Sequence, residues 1–328
     1  MTHEIENIPH QIPIEGNTNG VLYFEYLPCV NYSIYHNHTP ICLKCTLTNQ
    51  EQNVWNDVLI TASGSEISNS EVHIDQILPG QETAVRGLEL SPQSNRLLDL
   101  TEPISTHFKL TITKENQIIL EKEFPIYLMA FDQWCGTSIR PELLASFVTP
   151  NHPLLSRVIT HAAQHLERFS GSSSFDEYQT QNPNRVRMQV AAIFEALREE
   201  SLIYASVPPS FEKYGQRVRL ADKVLNEKLG TCLDLTLLYA SCLEAVGIHP
   251  LLVLMKGHIF VGAWLIDNIS STPTSDDVSF LRKESSDGIN EMVFVESTCI
   301  ASSSTLSFDD AADTAKRTLL NEDRKSVV

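Results

Sequence analysis

Residues 230–248 read GTCLDLTLLYASCLEAVGI, a nearly all-apolar segment that opens on glycine and threonine. Thr231, followed three residues later by Asp234, has the spacing of a capping box, so a helix is expected to begin at Cys232. Its lack of a polar face marks it as a buried core helix. A helix start presents unpaired backbone N–H groups and a partial positive charge, a setting that favours a thiolate. Cys232 is therefore a candidate nucleophile. The plainer reading is a buried structural cysteine, the role expected of Cys242 on the same helix.

Two strands follow, PLLVLMK at 250–256 and HIFVGAWLI at 258–266, and a third, EMVFVEST, comes at 291–298 after a polar excursion from Asn268 to Asn290. His258 opens its strand 26 residues beyond Cys232 (258 − 232), and alternation places it with Phe260, Gly262 and Trp264. Gly257 and Gly262 allow other chains to approach closely. Taken alone, a strand histidine is more often a core or edge residue than a base. Glu296 comes 38 residues further (296 − 258), beside Val293, Phe294 and Val295, where an ionised carboxylate needs a partner and a histidine can serve. Nucleophile, base and acid thus come in order on successive elements. His258 would hold the proton of Cys232, the thiolate would attack a carboxamide or peptide carbonyl, and Glu296 would fix the imidazole tautomer. Backbone N–H groups at the helix start would meet the oxyanion, with Gln216, in YGQRVR, as the candidate side-chain donor. Asp276 or Asp277 would replace Glu296 as orienting acid if the last strand takes another register.

Upstream, PLLSRVITHAAQHLERF at 153–169 and RMQVAAIFEALREE at 187–200 place apolar residues at helical spacing, with the polar loop GSSSFDEYQTQNPN between them. Residues 204–230 are too rich in proline and glycine for one helix, and residues 308–320 read as an amphipathic helix. From Val21 to about Leu128 the period is two instead. Candidate strands include 43–48, 54–62, 71–77, 83–90, 107–113 and 118–126, with turns at Pro79-Gly80 and Glu115-Asn116. About seven strands in roughly 100 residues suggest an immunoglobulin-like β-sandwich by architecture, without the Cys, Trp, Cys pattern of antibody domains. The reading is α+β in three parts: an N-terminal extension at 1–20, the sandwich at 21–130 and a catalytic domain at 131–328.

The 328 residues carry 41 acidic and 24 basic side chains, a formal charge of −17, which disfavours nucleic-acid binding by this chain alone. No run nears the roughly 18 apolar residues of a membrane span, and MTHEIENIPHQIPIEG has no targeting character. Seven irregularly spaced cysteines do not make a disulfide framework, so the cytoplasm is the expected compartment. No metal or cofactor is expected. Cys42 and Cys45 lack a second C-x-x-C and read as strand cysteines, not zinc ligands. His36 and His38 read as loop decoration, and His161 and His165, at i, i+4 on one helix face, as a solvent-facing pair. Arg185, Arg187, Arg217 and Arg219 are expected to pair with nearby acids, or else to hold a substrate carboxylate.

At these residues the sequence resembles the transglutaminase-like superfamily of papain-fold cysteine proteases. The match runs from about Val148 to Thr298 and centres on GTCLDLTLLYASCLEAVGI, GHIFVGAWL and VFVEST. The resemblance places the family's nucleophile on Cys232, its base on His258 and its acid on Glu296, where the family usually has the shorter Asp before its Thr. The missing paired C-x-x-C sets the chain apart from the peptide N-glycanase branch. More narrowly, the sandwich together with FVTPNHP, PPSFEKYGQRVRL and GTCLDLTLLYASCLEA looks like the N-terminal region of large bacterial proteins. In those, superfamily-1 helicase and restriction-endonuclease-like domains follow. The resemblance implies a role in antiphage defence, with those C-terminal domains as partners, and a chain that continues beyond NEDRKSVV. The expected activity is hydrolysis of a protein or peptide substrate. Acyl transfer to an amine, crosslinking proteins, uses the same triad, and a non-catalytic interaction scaffold is the reading from a different class.

Overall fold

Glu115 and Asn116 both adopt left-handed backbone, with φ of 50° and 64°, and form the two-residue turn that joins strands Ile104–Lys114 and Gln117–Leu128. The computed structural model describes residues 10–14, 18–92, 94–137, 139–206, 215–269, 272–276, 279–284, 289–321 and 325–327. They form an α+β fold of two compact units. The first takes the described residues up to Arg140 together with Gly215, and the second takes the rest from Pro141 onward.

In the first unit the hairpin belongs to a five-stranded sheet. Its order is Cys29–Val30, Gln117–Leu128, Ile104–Lys114, Trp55–Gly64 and Ser70–Ile77. A four-stranded sheet orders His10–Ile14, Gly20–Tyr26, Cys42–Asn49 and Glu82–Ala84. Alternate residues of each sheet turn inward, and Phe24 and Tyr26 of one meet Phe108 and Phe124 of the other at ring separations of 4.9 to 6.1 Å. Gly20 permits this packing, because a Cβ there would lie 2.4 Å from the buried Trp55 ring. The strand expected over 83–90 is only Glu82–Ala84, since Gly87 takes φ 85° and ends the extended run. Burial pushes the thiols of Cys42 and Cys45 up to about 11 and about 12, so both stay protonated. Among the described residues no cluster of His, Cys, Asp and Glu is suited to a metal ion.

In the second unit an antiparallel sheet orders Met292–Val295, His258–Trp264, Pro250–Met255 and Lys325–Val327. The last of these was not anticipated, because three residues carry too little periodicity to read. One face of the sheet buries Leu251, Val253, Phe260, Trp264, Met292 and Phe294 with Ala315 and Leu319 of helix Phe308–Asn321. Gly262 admits the Phe294 ring, which a Cβ would meet at 2.8 Å. Helix Cys232–Ala245 packs against strands Pro250–Met255 and His258–Trp264, and Thr236 Oγ1 donates to the carbonyl of Ile259 at 3.3 Å. Helix Pro183–Glu199 supports it in turn, with its Val190 carbonyl accepting from Tyr239 Oη at 2.9 Å. No helix among the described residues is long and apolar enough to cross a membrane.

The polar loop between helices Leu155–Ser170 and Pro183–Glu199 is tied down by one buried guanidinium. Arg185 donates to Asp176 at 3.0 and 3.1 Å, to Ser170 Oγ at 2.5 Å and to the Ser174 carbonyl at 2.6 Å. Further along, Tyr178 Oη donates to the Trp264 carbonyl and accepts from the His249 amide. Removing the carboxylate strands a buried charge, so Asp176→Ala is expected to lower the unfolding free energy by about 3 kcal/mol. Urea denaturation measures this, and an unchanged midpoint would rule the ion pair out as a structural anchor.

Candidate active site

The chain enters the site along Leu229–Gly230, which pairs in parallel with Ile203–Tyr204. At Thr231 it takes extended backbone (φ −81°, ψ 176°) before turning into the helix. The expected capping box is present: Thr231 Oγ1 accepts from the Asp234 amide at 3.3 Å, and Asp234 Oδ2 accepts from the Thr231 amide at 2.9 Å. Asp234 is fully buried and also takes the Arg219 amide at 2.7 Å and the Arg219 guanidinium at 3.3 Å. Cys232 is the first residue of the helix and 8% exposed, so its sulfur sits at the positive end of the helix dipole. Cys242, two to three turns on, is fully buried and its thiol is pushed far up by burial.

His258 and Glu296 converge on this point through strand register. Val295 pairs with Val261, and there the chain leaves the sheet into the 3₁₀ turn Ser297–Ile300. Ser297 Oγ accepts the Val261 amide at 3.2 Å in place of a strand partner. The turn swings the Glu296 carboxylate back to His258, with Nε2 2.8 Å from Oε2. The other oxygen, Oε1, accepts from Thr298 Oγ1 at 2.7 Å and from the Thr298 amide at 3.1 Å. Cys232 lies near enough to His258 to act on its charge, and with Nε2 committed to the carboxylate, Nδ1 is the ring nitrogen left for another partner. Burial disfavours the charged ring, but the hydrogen bonds with Cys232 and Glu296 and the charge of Glu296 outweigh it and push the imidazole up to about 10. Burial likewise opposes the ionised form of Glu296, and His258 and Thr298 overcome it to hold the carboxyl below its usual range.

The structure therefore brings Cys232, His258 and Glu296 together. The orienting position that Asp276 could have taken is filled by Glu296, and Asp277 lies outside the described residues. Gln216 lies on the short strand Gln216–Arg217, 9% exposed, with its buried Oε1 unpartnered among the described residues. The neighbour that is tied to helix Cys232–Ala245 is Arg219, through Asp234. Tyr204 was missed: it stands across from Gly230 in the parallel pair, and burial, followed by the nearby Cys232 and Glu296, raises its phenol above 10.0. Nothing in the sequence flags it, because its place depends on a pairing between chain segments 26 residues apart (230 − 204).

Other candidates resolve into structure. Arg185 pairs with Asp176, Arg187 with Asp309, and Arg219 with Asp234 and Glu227. His161 and His165 are not a solvent-facing pair: His165 is buried, and the two rings share Glu199 at 3.4 and 2.8 Å. A carboxylate on the next helix completes that face, which sequence spacing within one helix does not reveal.

No family model and no curated protein matches this chain. Among solved structures, a candidate protease from Parabacteroides distasonis is similar at 17% identity and a TM-score of 0.26, over 77% of this chain. The match spans 45% of that protein, less than half of its length.

The linkage sign for the pair is set by the two shifts. His258 is raised from 6.5 to about 10, so its contribution to stability is complete below 6.5 and disappears as pH rises through about 10. Glu296 is lowered from 4.5, so its contribution is complete above that value and is lost in acid. The stability difference between wild type and Glu296→Gln is thus expected to be largest between 4.5 and 6.5 and to shrink towards 10. Denaturant titrations across that range measure it, and a pH-independent difference would contradict the ion pair.

Proposed function

We propose that this chain is a cysteine hydrolase, a protease acting on protein or peptide substrates through Cys232, His258 and Glu296. The observation that carries this reading is His258 held at 2.8 Å by Glu296, with Cys232, at a helix start, near enough to act on the charge of the ring. On this reading the second unit is a transglutaminase-like domain of papain fold, and the first, with its two facing antiparallel-rich sheets, is an immunoglobulin-like sandwich.

The chemistry follows from the groups. The thiolate adds to the substrate carbonyl carbon, and the oxyanion so formed is met by backbone N–H groups at the helix start, which have no acceptor within the helix. As the C–N bond breaks, His258 gives its proton to the departing amine and a thioester remains on Cys232. His258 then takes a proton from water as the water attacks the thioester, and the carboxylic acid leaves with the thiolate restored. Glu296 keeps Nε2–H directed at itself throughout, leaving Nδ1 to exchange protons with sulfur, amine and water.

The setting is equally a proposal: a bacterial cytoplasmic protein that serves antiphage defence, with helicase and nuclease domains following in the same polypeptide. There those domains, and not this acidic chain, would touch nucleic acid. Cys232→Ala is expected to abolish turnover and Glu296→Gln to lower it at least about 10²-fold. Mass spectrometry of the products, with and without an added primary amine, separates water from amine as acceptor. Turnover that persists in Cys232→Ala would overturn the cysteine mechanism, and the absence of turnover in the wild type would return the domain to a scaffold role.

A further inference from the structure

We propose that Thr298 is a positioning residue for the reaction given above, gripping one oxygen of Glu296 so that the other stays aimed at His258; this rests on the reading of those two residues as orienting acid and base. The backbone of Glu296 is already fixed. Its amide donates to the Ala311 carbonyl at 3.1 Å and its carbonyl accepts from the Cys299 amide at 3.1 Å, while Ser297 Oγ next to it takes the Val261 amide at 3.2 Å. What is left to fix is the side chain. A glutamate places several rotatable bonds between Cα and carboxylate, each with staggered alternatives, and a bond from His258 alone would leave the carboxylate free to pivot about one oxygen.

Thr298 removes that freedom. Its hydroxyl and amide meet Oε1 at 2.7 and 3.1 Å, while Oε2 lies 2.8 Å from His258 Nε2, so a planar group is held at both ends. An ionised carboxylate only accepts, so both groups of Thr298 donate, and 2.7 Å is the short separation of a hydroxyl bound to a charged oxygen. Thr298 is in turn fixed within the 3₁₀ turn, where its carbonyl accepts from the Ala301 amide at 3.1 Å. With two donors on Oε1, the charge of Glu296 is presented to the ring through Oε2. Of the other ionisable groups that feel this carboxylate, Tyr204 and Cys299 are kept protonated by burial, so at neutral pH the charge that answers to it is that of His258.

Two measurements on the full chain test this. The first needs no turnover: the His258 ring is titrated through its nitrogen NMR signals, assigned by their loss in His258→Gln. In the wild type the ring is expected to stay charged well above the ordinary 6.5. Thr298→Val keeps the branched shape and the amide and loses the hydroxyl, and is expected to lower the midpoint by about one pH unit, a loss of about 10-fold in proton affinity, the effect of one hydrogen bond to a charged group. Thr298→Ser, which keeps the hydroxyl, should restore it. The direction decides, because a hydroxyl that merely drew charge from the carboxylate would raise the midpoint once removed. The second measurement is turnover: Thr298→Val is expected to lower kcat about 10-fold with KM unchanged, and to cost nothing further in Glu296→Ala, where there is no carboxylate to aim. Thr298→Ala carries the same expectations where the valine variant does not fold. A midpoint that stays or rises without the hydroxyl overturns the role of Thr298, and so does a loss of kcat that persists in full on Glu296→Ala, which would mark a support of the fold. Absence of turnover in the wild type would overturn the hydrolase reading and with it any role in the reaction, while the titration still decides whether Thr298 holds the pair.

Discussion

Everything at the site depends on the first turn of helix Cys232–Ala245, and that turn is held by one carboxylate. Asp234 is fully buried and accepts from the Thr231 amide, the Arg219 amide and the Arg219 guanidinium. A buried charge without such partners would be prohibitively costly, so the three bonds and the burial require one another. The consequence is that the helix start, the strand Leu229–Gly230 and the segment around Arg219 share one fixed geometry. Cys232 is placed by that geometry, independently of His258 and Glu296.

His258 and Glu296 are positioned by another constraint, the register of the antiparallel sheet. His258 begins its strand and Glu296 follows the end of the neighbouring one, so pairing of Val261 with Val295 brings the two within hydrogen-bonding distance. Thr298 then takes the carboxylate oxygen that His258 does not use. Glutamate, one methylene longer than aspartate, reaches the ring because the chain has already turned away from the sheet at Ser297.

Legibility varied with the range of the interaction. Thr231 and Asp234 are three residues apart, and their capping box was readable as a local pattern. The hairpin at Glu115-Asn116 and the helices of the second unit were readable for the same reason, since turn chemistry and apolar period act over a few residues. The strand over 83–90 was read too long because apolar residues continue at Val85, Leu88 and Leu90 although Gly87 breaks the extended run. His161 and His165 were assigned to solvent because Glu199, which they clasp, belongs to another helix.

By itself, then, the sequence determined the alternation of strand and helix, the capped start of an apolar helix at Cys232, and the order in which cysteine, histidine and glutamate follow one another. These are consequences of local backbone chemistry and of periodic burial. Only the tertiary structure decided which ring nitrogen faces the carboxylate, that Thr298 holds that carboxylate, that Asp234 is anchored by Arg219, and that Tyr204 pairs with Gly230 on the strand that leads into Cys232. Each of those depends on the register between segments distant in the chain, and register is set by how whole faces pack rather than by any residue's neighbours.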